Sequence, residues 1–377
     1  MHVKTLCLLS VGVVFVVGSA QAATLRTQTI KAASGVSLTG KKKYDRTKMA
    51  ASISYRGTVP LITLGGSTLA LEPTGESPPA VSLVASSIAG ILATSACRSM
   101  RTDRSSSVDH RSRQSSIKDQ GSRGTCVSHA SMAALESWFN WKLPTDTSVA
   151  NQDFAEQHAH HVSMLATAGT CEANTGVTTY KAATYLTDAH VCKEAKAPYT
   201  STVPSDTSSH IDTSCTRAAR YGFKSTQVFL GKDYGGEGSC TANSTAYLEG
   251  LLDAGNDLVM GVYVAGTDWS DGTAESGVID VQVDSTGNPA EATGGHAMLA
   301  VGYNHDSKYF IFKNSWKSSR GHSGYFYLSY DYIKTYAKYG YYIVEAESSV
   351  GAIVKVTSPQ VVVNPTSNSA VVKAVGK

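Results

Sequence analysis

A cysteine that opens a helix, a histidine on an apolar strand and an asparagine eighteen residues further on form a set that acyl-transfer chemistry can use. The cysteine is Cys126, at the end of Lys118-Asp119-Gln120-Gly121-Ser122-Arg123-Gly124-Thr125-Cys126. The positive end of a helix dipole favours thiolate over thiol, and the thiolate is the nucleophile. Glycines ahead of it let a substrate backbone approach closely. Gln120, six residues earlier, offers side-chain N–H donors to an oxyanion developing beside the sulfur. His296 lies in Gly294-Gly295-His296-Ala297-Met298-Leu299-Ala300-Val301-Gly302-Tyr303 and reads as the start of an apolar strand. Asn314-Ser315-Trp316 follows a second strand, Tyr309 to Lys313. Adjacent antiparallel strands can set an asparagine carbonyl against the imidazole and fix its tautomer. Taken singly, these are a disulfide half, a core histidine and a turn asparagine. Taken together, they are a nucleophile, a base and its orienter.

The remaining histidines have plainer readings. His129, three residues after Cys126, reads as packing or surface. His158 and His161 are spaced i, i+3 near Asp153, but no further ligand is close, so no metal and no cofactor is expected.

The elements that must position this set change character along the chain. Cys126 to Leu143 carries Val127, Ala130, Ala133, Ala134, Trp138 and Trp141 at helical spacing. Further helices are expected at Thr178 to Asp188 and Ser244 to Ala254. Strands are expected at Leu258 to Val264, Ala297 to Tyr303, Tyr309 to Lys313 and Gly324 to Leu328. Helices first and strands after argue for an α+β body with two unlike halves.

The first 22 residues read as a secretory signal: Lys4, an apolar run from Leu6 to Val17, then Ala20-Gln21-Ala22 ahead of Ala23. Neither that run nor Ser82 to Ala96 reaches the ~20 residues a span requires, so no membrane association is expected. Residues 23–107 hold eleven Lys/Arg against four Asp/Glu, a net +7, whereas residues from 108 onward carry −5. A basic front and an acidic body attract each other. The overall +3 is too small for a nucleic-acid binder. Arg98 to Ser107 is basic and Ser-rich, as an exposed, cleavable linker would be. With Cys126 kept as a thiol, and Cys7 and Cys97 lost with the front segments, Cys171, Cys192, Cys215 and Cys240 remain. Four cysteines allow three connectivities, among which sequence does not choose. Pairing near neighbours gives Cys171–Cys192 and Cys215–Cys240.

From about Val108 to Glu347 the sequence resembles the papain family of cysteine peptidases. The resemblance is carried by Asp109-His110-Arg111, Gln120-Gly121-x-x-Gly124-x-Cys126, Gly295-His296-Ala297 with Gly302-Tyr303, Asn314-Ser315-Trp316, Gly324-Tyr325-Phe326 and Asp331-Tyr332-Ile333. It implies a helical left lobe and an antiparallel, β-barrel-like right lobe with the active site in the groove between. It implies that Cys126 attacks a peptide carbonyl, paired with His296; that Asn314 holds the imidazole; and that Gln120 and the Cys126 backbone N–H form an oxyanion hole. Trp316 would shield the His–Asn contact, and Gly295 and Gly176 would lie along the substrate. The sequence also departs from the family. Arg123 replaces a disulfide cysteine, Val127 an aromatic, and Arg320 a second tryptophan on the leaving-group side. Thr175-Gly176 stands for a double glycine, and the front segment lacks the usual helical propeptide signature. The expected organisation is a signal at 1–22, a propeptide and linker at 23–107, a peptidase domain at 108–347 and a tail at 348–377. The expected product is a secreted or periplasmic monomeric peptidase, an endopeptidase rather than an exopeptidase, whose partners are polypeptide substrates and its own propeptide. Two other readings are a catalytically silent peptide-binding relative and a Cys-His acyltransferase of transglutaminase type, though the latter usually has Asp where Asn314 stands.

Overall fold

The computed structural model describes residues 105–142, 152–168, 176–186, 189–201, 215, 221–230 and 245–348, with short strands at 42–43, 53–56, 59–64, 67–70, 354–357, 360–363 and 370–373. The signal at 1–22, the apolar run at 82–96, the linker residues 98–104, and Cys171 and Cys240 lie outside the described residues.

In chain order the first thirteen strands are β1 (Lys42–Lys43), β2 (Ile53–Arg56), β3 (Val59–Leu64), β4 (Ser67–Ala70), β5 (Ser107–Asp109), β6 (Tyr221–Leu230), β7 (Leu258–Ala265), β8 (Gln282–Val283), β9 (Ala292–Asn304), β10 (Tyr309–Lys313), β11 (Tyr325–Ser329), β12 (Ala337–Ser348) and β13 (Val354–Thr357). The helices used below are α1 (Cys126–Lys142), α2 (Glu156–Ala168), α3 (Thr179–Leu186), α4 (Thr245–Asp253), α5 (Thr273–Ser276) and α6 (Tyr330–Tyr336). The main sheet runs β11-β10-β9-β7-β12-β13, with β5 on β9 and β6 on β12, and every pairing in it is antiparallel.

Alternation along β9 explains how one sheet serves two halves. Ala297, Leu299 and Val301 join a core with α1, α2 and α3, including Val127, Leu135, Phe139 and Ala182. Met298, Ala300 and Tyr303 join a second core with α4, α6, Trp269 and Trp316. A strand buried on both faces needs no polar alternation, which is why β9 reads as one apolar run. The α+β arrangement is the one expected.

Local chemistry sets the joints. Gly302 is required because β5 passes so close that a Cβ there would lie 2.2 Å from the Val108 carbonyl. Gly121 takes φ +55° in the turn before α1, a conformation glycine adopts without strain. Asp257 anchors the segment after β5: it accepts from His110 Nδ1 at 2.7 Å, Arg113 at 2.6 Å, Gln114 at 2.8 Å and Ser137 at 2.5 Å.

Two expectations need correction. β9 begins at Ala292, so His296 is its fifth residue and not its start. The extension forms because Ala292 and Gly294 pair with the far end of β7 at Ala265 and Val264. The disulfide joins Cys192 to Cys215, with Cα atoms 5.4 Å apart, and not Cys192 to Cys171 or Cys215 to Cys240. An isolated bridge between Val191 and Tyr221, with N–H···O bonds of 2.7 and 3.2 Å, brings the two ends of this loop together. Near-neighbour counting along the sequence could not register that bridge.

Candidate active site

Three segments converge on His296. Its place in β9 opposite Val262 fixes the backbone. The turn after β10 brings Asn314, whose backbone N–H bonds the Gly324 carbonyl at 3.0 Å. His296 Nε2 donates to Asn314 Oδ1 at 2.7 Å, and the Ser315 backbone N–H donates to the same oxygen at 2.8 Å. Two donors on one oxygen define which way the amide faces. The other ring nitrogen, Nδ1, is buried with no hydrogen-bond partner.

Trp316 stacks on the imidazole at 4.3 Å and 25°. Trp269, which the sequence did not single out, meets the same ring edge-on at 6.3 Å and Trp316 at 6.0 Å. Its indole N–H donates to Tyr332 Oη at 2.7 Å, and that hydroxyl donates to the Tyr263 carbonyl at 2.8 Å. Its sequence signal was weak: one of four tryptophans, in a polar turn after β7. Enclosed this way, His296 is held at a pKa of about 4, because burial disfavours the imidazolium and the bond to Asn314 only partly opposes it.

Cys126 opens α1, fully buried, as a thiol outside any disulfide. The loop ahead of it is tied to the Asn314 turn. Gln120 N–H bonds the Ser315 carbonyl at 2.8 Å, and Asp119 bridges Trp316. The Gln120 side chain accepts from Ser315 Oγ at 2.6 Å and donates from Nε2 to the Arg123 carbonyl at 2.9 Å.

Arg123, where a disulfide cysteine would stand, is buried instead. Its Nη1 bonds Gln157 Oε1 at 2.5 Å and the Thr200 carbonyl at 2.7 Å, and its guanidinium lies 5.1 Å from the Tyr199 ring centre. It links the Cys126 loop to α2 by polar contacts. Arg320 Nη1 lies 3.3 Å from Glu275 Oε1 on α5. Gly295 lies in β9 opposite Tyr263, and Gly176 lies in the loop ahead of α3. His158, His160 and His161 are buried on α2, and no group of three or more potential metal ligands occurs among the described residues. No helix among them is long and apolar enough to cross a membrane.

Residues 104–342 match the family model described as papain family cysteine protease. An uncharacterized peptidase C1-like protein of Acanthamoeba polyphaga mimivirus is 33% identical over 87 residues, 23% of this chain and 27% of that protein. The chain therefore matches about a quarter of that curated relative's length. Xylellain, a cysteine protease from Xylella fastidiosa, is similar in structure with a TM-score of 0.51 at 20% identity, over 65% of this chain and 88% of that one. Digestive procathepsin L 3 of the Tenebrio molitor larval midgut gives 0.44 at 22% identity, over 65% and 71%. At such identities the structural likeness concerns the fold.

Proposed function

This chain belongs to the papain family of cysteine proteases, and from that premise we propose that it is an exported endopeptidase with Cys126 as nucleophile and His296 as base. The observation that carries the reading is the division of labour on the imidazole. Asn314 occupies Nε2 at 2.7 Å, and Nδ1 has no hydrogen-bond partner, which suits it for proton exchange with a thiol.

Sulfur attacks the peptide carbonyl carbon while the thiol proton resides on Nδ1. The oxyanion receives hydrogen bonds from the Cys126 backbone N–H and Gln120 Nε2. Collapse expels the amine, which takes the proton from His296, and leaves a thioester on Cys126. His296 then removes a proton from water, the hydroxyl adds to the thioester, and collapse releases the acid while the proton on His296 returns to the Cys126 sulfur. Gly176, Gly295, Trp316 and Arg320 are assigned to the groove walls. Glu275 shares the Arg320 cation, so any preference for an acidic residue after the scissile bond is expected to be only a few-fold. The proposed organisation is a signal at 1–22, a propeptide and linker at 23–107, a peptidase domain at 108–347 and a tail at 348–377, in a secreted or periplasmic monomer.

The test is cleavage of an internally quenched peptide blocked at both ends. Wild type should cut it, and Cys126→Ala and His296→Ala should not, while both keep the wild-type circular dichroism. Near-wild-type hydrolysis by Cys126→Ala refutes the mechanism; cleavage only of peptides with a free terminus refutes the endopeptidase assignment.

A further inference from the structure

Between α1 and the sheet lies a cavity of about 20 Å³ whose wall includes His129 and Asn314 along with Lys118, Glu136 and Lys313. A single water needs roughly 10–15 Å³ of such space. Three atoms of wall residues, His129 Nε2, Asn314 Nδ2 and Glu156 Oε2, are buried with no hydrogen-bond partner.

The His129 and Asn314 atoms have opposite hydrogen-bonding characters. His129 Nδ1 lies 2.9 Å from the Thr125 carbonyl. A carbonyl only accepts, so Nδ1 carries the proton and Nε2 of the neutral ring is a bare acceptor. Burial keeps that ring neutral, with a pKa of about 3. Asn314 Nδ2 is a donor by assignment, because Oδ1 already accepts from His296 and from the Ser315 backbone. One molecule that accepts from the amide and donates to the imidazole satisfies both, and water does this. Apart from Glu156 Oε2, the charged wall groups are engaged elsewhere. Lys118 Nζ binds Glu136 at 3.0 Å and Glu156 at 2.6 Å, and Lys313 Nζ binds Ser115 Oγ at 2.7 Å.

We propose that this cavity is a resident water site joining His129 to Asn314, and that His129 is thereby a positioning residue for the catalytic pair. The water engages Nδ2 from the inner side and so opposes the amide flip that would turn Nδ2 toward His296. A flipped amide would present a donor to His296 Nε2 and to the Ser315 N–H, and the orientation of the imidazole would be lost. The catalytic half rests on the peptidase reading above; the water site itself does not.

The test has two arms. A high-resolution crystal structure of the purified wild-type protein should show a water within hydrogen-bond distance of both His129 Nε2 and Asn314 Nδ2. In steady-state kinetics, His129→Phe keeps a ring of similar size without the acceptor. Its kcat should fall about tenfold, the worth of one hydrogen bond, with KM within about twofold of wild type. His129→Gln retains an oxygen acceptor and should recover most of that loss. Absence of the water overturns the site, and a folded His129→Phe with wild-type kcat overturns the positioning role. Equal losses in Phe and Gln variants also overturn it, since packing alone would then account for them. If neither variant folds, the wild-type density decides for or against the site. A wild type that cuts no peptide sinks the peptidase reading and the positioning role together, while the density still decides the water.

Discussion

His296 is gripped by unlike contacts, and each predicts a different sensitivity. The bond to Asn314 sets the tautomer, whereas Trp316 at 4.3 Å and Trp269 at 6.3 Å limit how far the ring can tip. Asn314→Ala removes the first and leaves the second. Its kcat/KM is therefore expected to drop on the order of ten- to a hundred-fold, short of the loss in His296→Ala. Equal loss in both would mean that the indoles contribute nothing to orientation. Burial, which holds His296 near pH 4, also bears on the nucleophile. An imidazolium in so enclosed a place is costly unless an adjacent anion offsets it. Another buried histidine, His129, is held at about 3 against an ordinary 6.5. An unfolded chain takes up its proton as pH falls through 6.5 while the folded one refuses it until about 3. Stability from this residue is therefore complete above 6.5 and declines below it, by up to about 1.4 kcal/mol per pH unit. Comparing urea midpoints of wild type and His129→Gln at pH 7 and 5 isolates this contribution. The variant should lose less stability on acidification, and parallel losses would refute the assignment.

At the scale of elements, the pairing that closes the loop between α3 and β6 is the strongest departure from the sequence reading. Cys192 and Cys215 are 23 residues apart and are joined where Val191 and Tyr221 bridge. Peptide mapping of the unreduced protein should recover Cys192–Cys215, and Cys215→Ser should cost about 3 kcal/mol of stability for a loop of this size. A Cys171–Cys192 fragment would refute the pairing. The helix at Cys126 and the strands at Leu258 and Tyr309 were legible because period and turn residues bounded them. β12 was not: Ala337 to Ser348 follows α6 with no Gly or Pro break, and both are tyrosine-rich. Pairing with Leu258–Val262 and with β6, remote in sequence, decides that boundary. The same holds at the site. Cys126, His296 and Asn314 could be picked out by residue type and spacing, but Trp269 and His129 acquire their meaning only from what packs against them. Asp257 illustrates the anchoring of the segment after β5. Burial works to raise its pKa, yet hydrogen bonding from His110 and the charge of Arg113 outweigh that and hold it below the usual value. Asp257→Ala would strand four donors and should cost about 3–5 kcal/mol, measured by urea denaturation. A loss under 1 kcal/mol, roughly that of an exposed ion pair, would show that the anchor is dispensable.

For the molecule as a whole, the proposed maturation raises the question of where the front segment would be cut and how it would be held until then. The chain from Ser105 onward is built into the body. The Ser105 carbonyl accepts from Tyr303 Oη at 2.9 Å, the Ser106 carbonyl accepts from the His305 N–H at 2.8 Å, and β5 pairs with β9. A cut after Ser106 would strip the Ser105 and Ser106 contacts that lead into β5, so the maturation site is proposed to lie in the Arg98–Arg104 stretch. Further upstream, β1 pairs in parallel with Gln282–Val283. Gln282 Oε1 in turn accepts from the Thr267 N–H at 2.7 Å, and its amide donates to Asp268, next to Trp269. β1 of the front segment thus pairs beside the loop that backs His296, and by sequence the segment carries +7 against −5 in the rest from residue 108. We expect the precursor to be latent and the active form to begin between Arg98 and Ser105, as read by N-terminal sequencing. A peptide spanning residues 23–97, added in trans to the active form, should inhibit. Its Ki should rise several-fold between 50 and 500 mM salt, since exposed charges farther apart than a Debye length are screened. An active form beginning at Ala23 would refute the latency. A salt-independent Ki would show that strand pairing, and not charge, holds the segment in place.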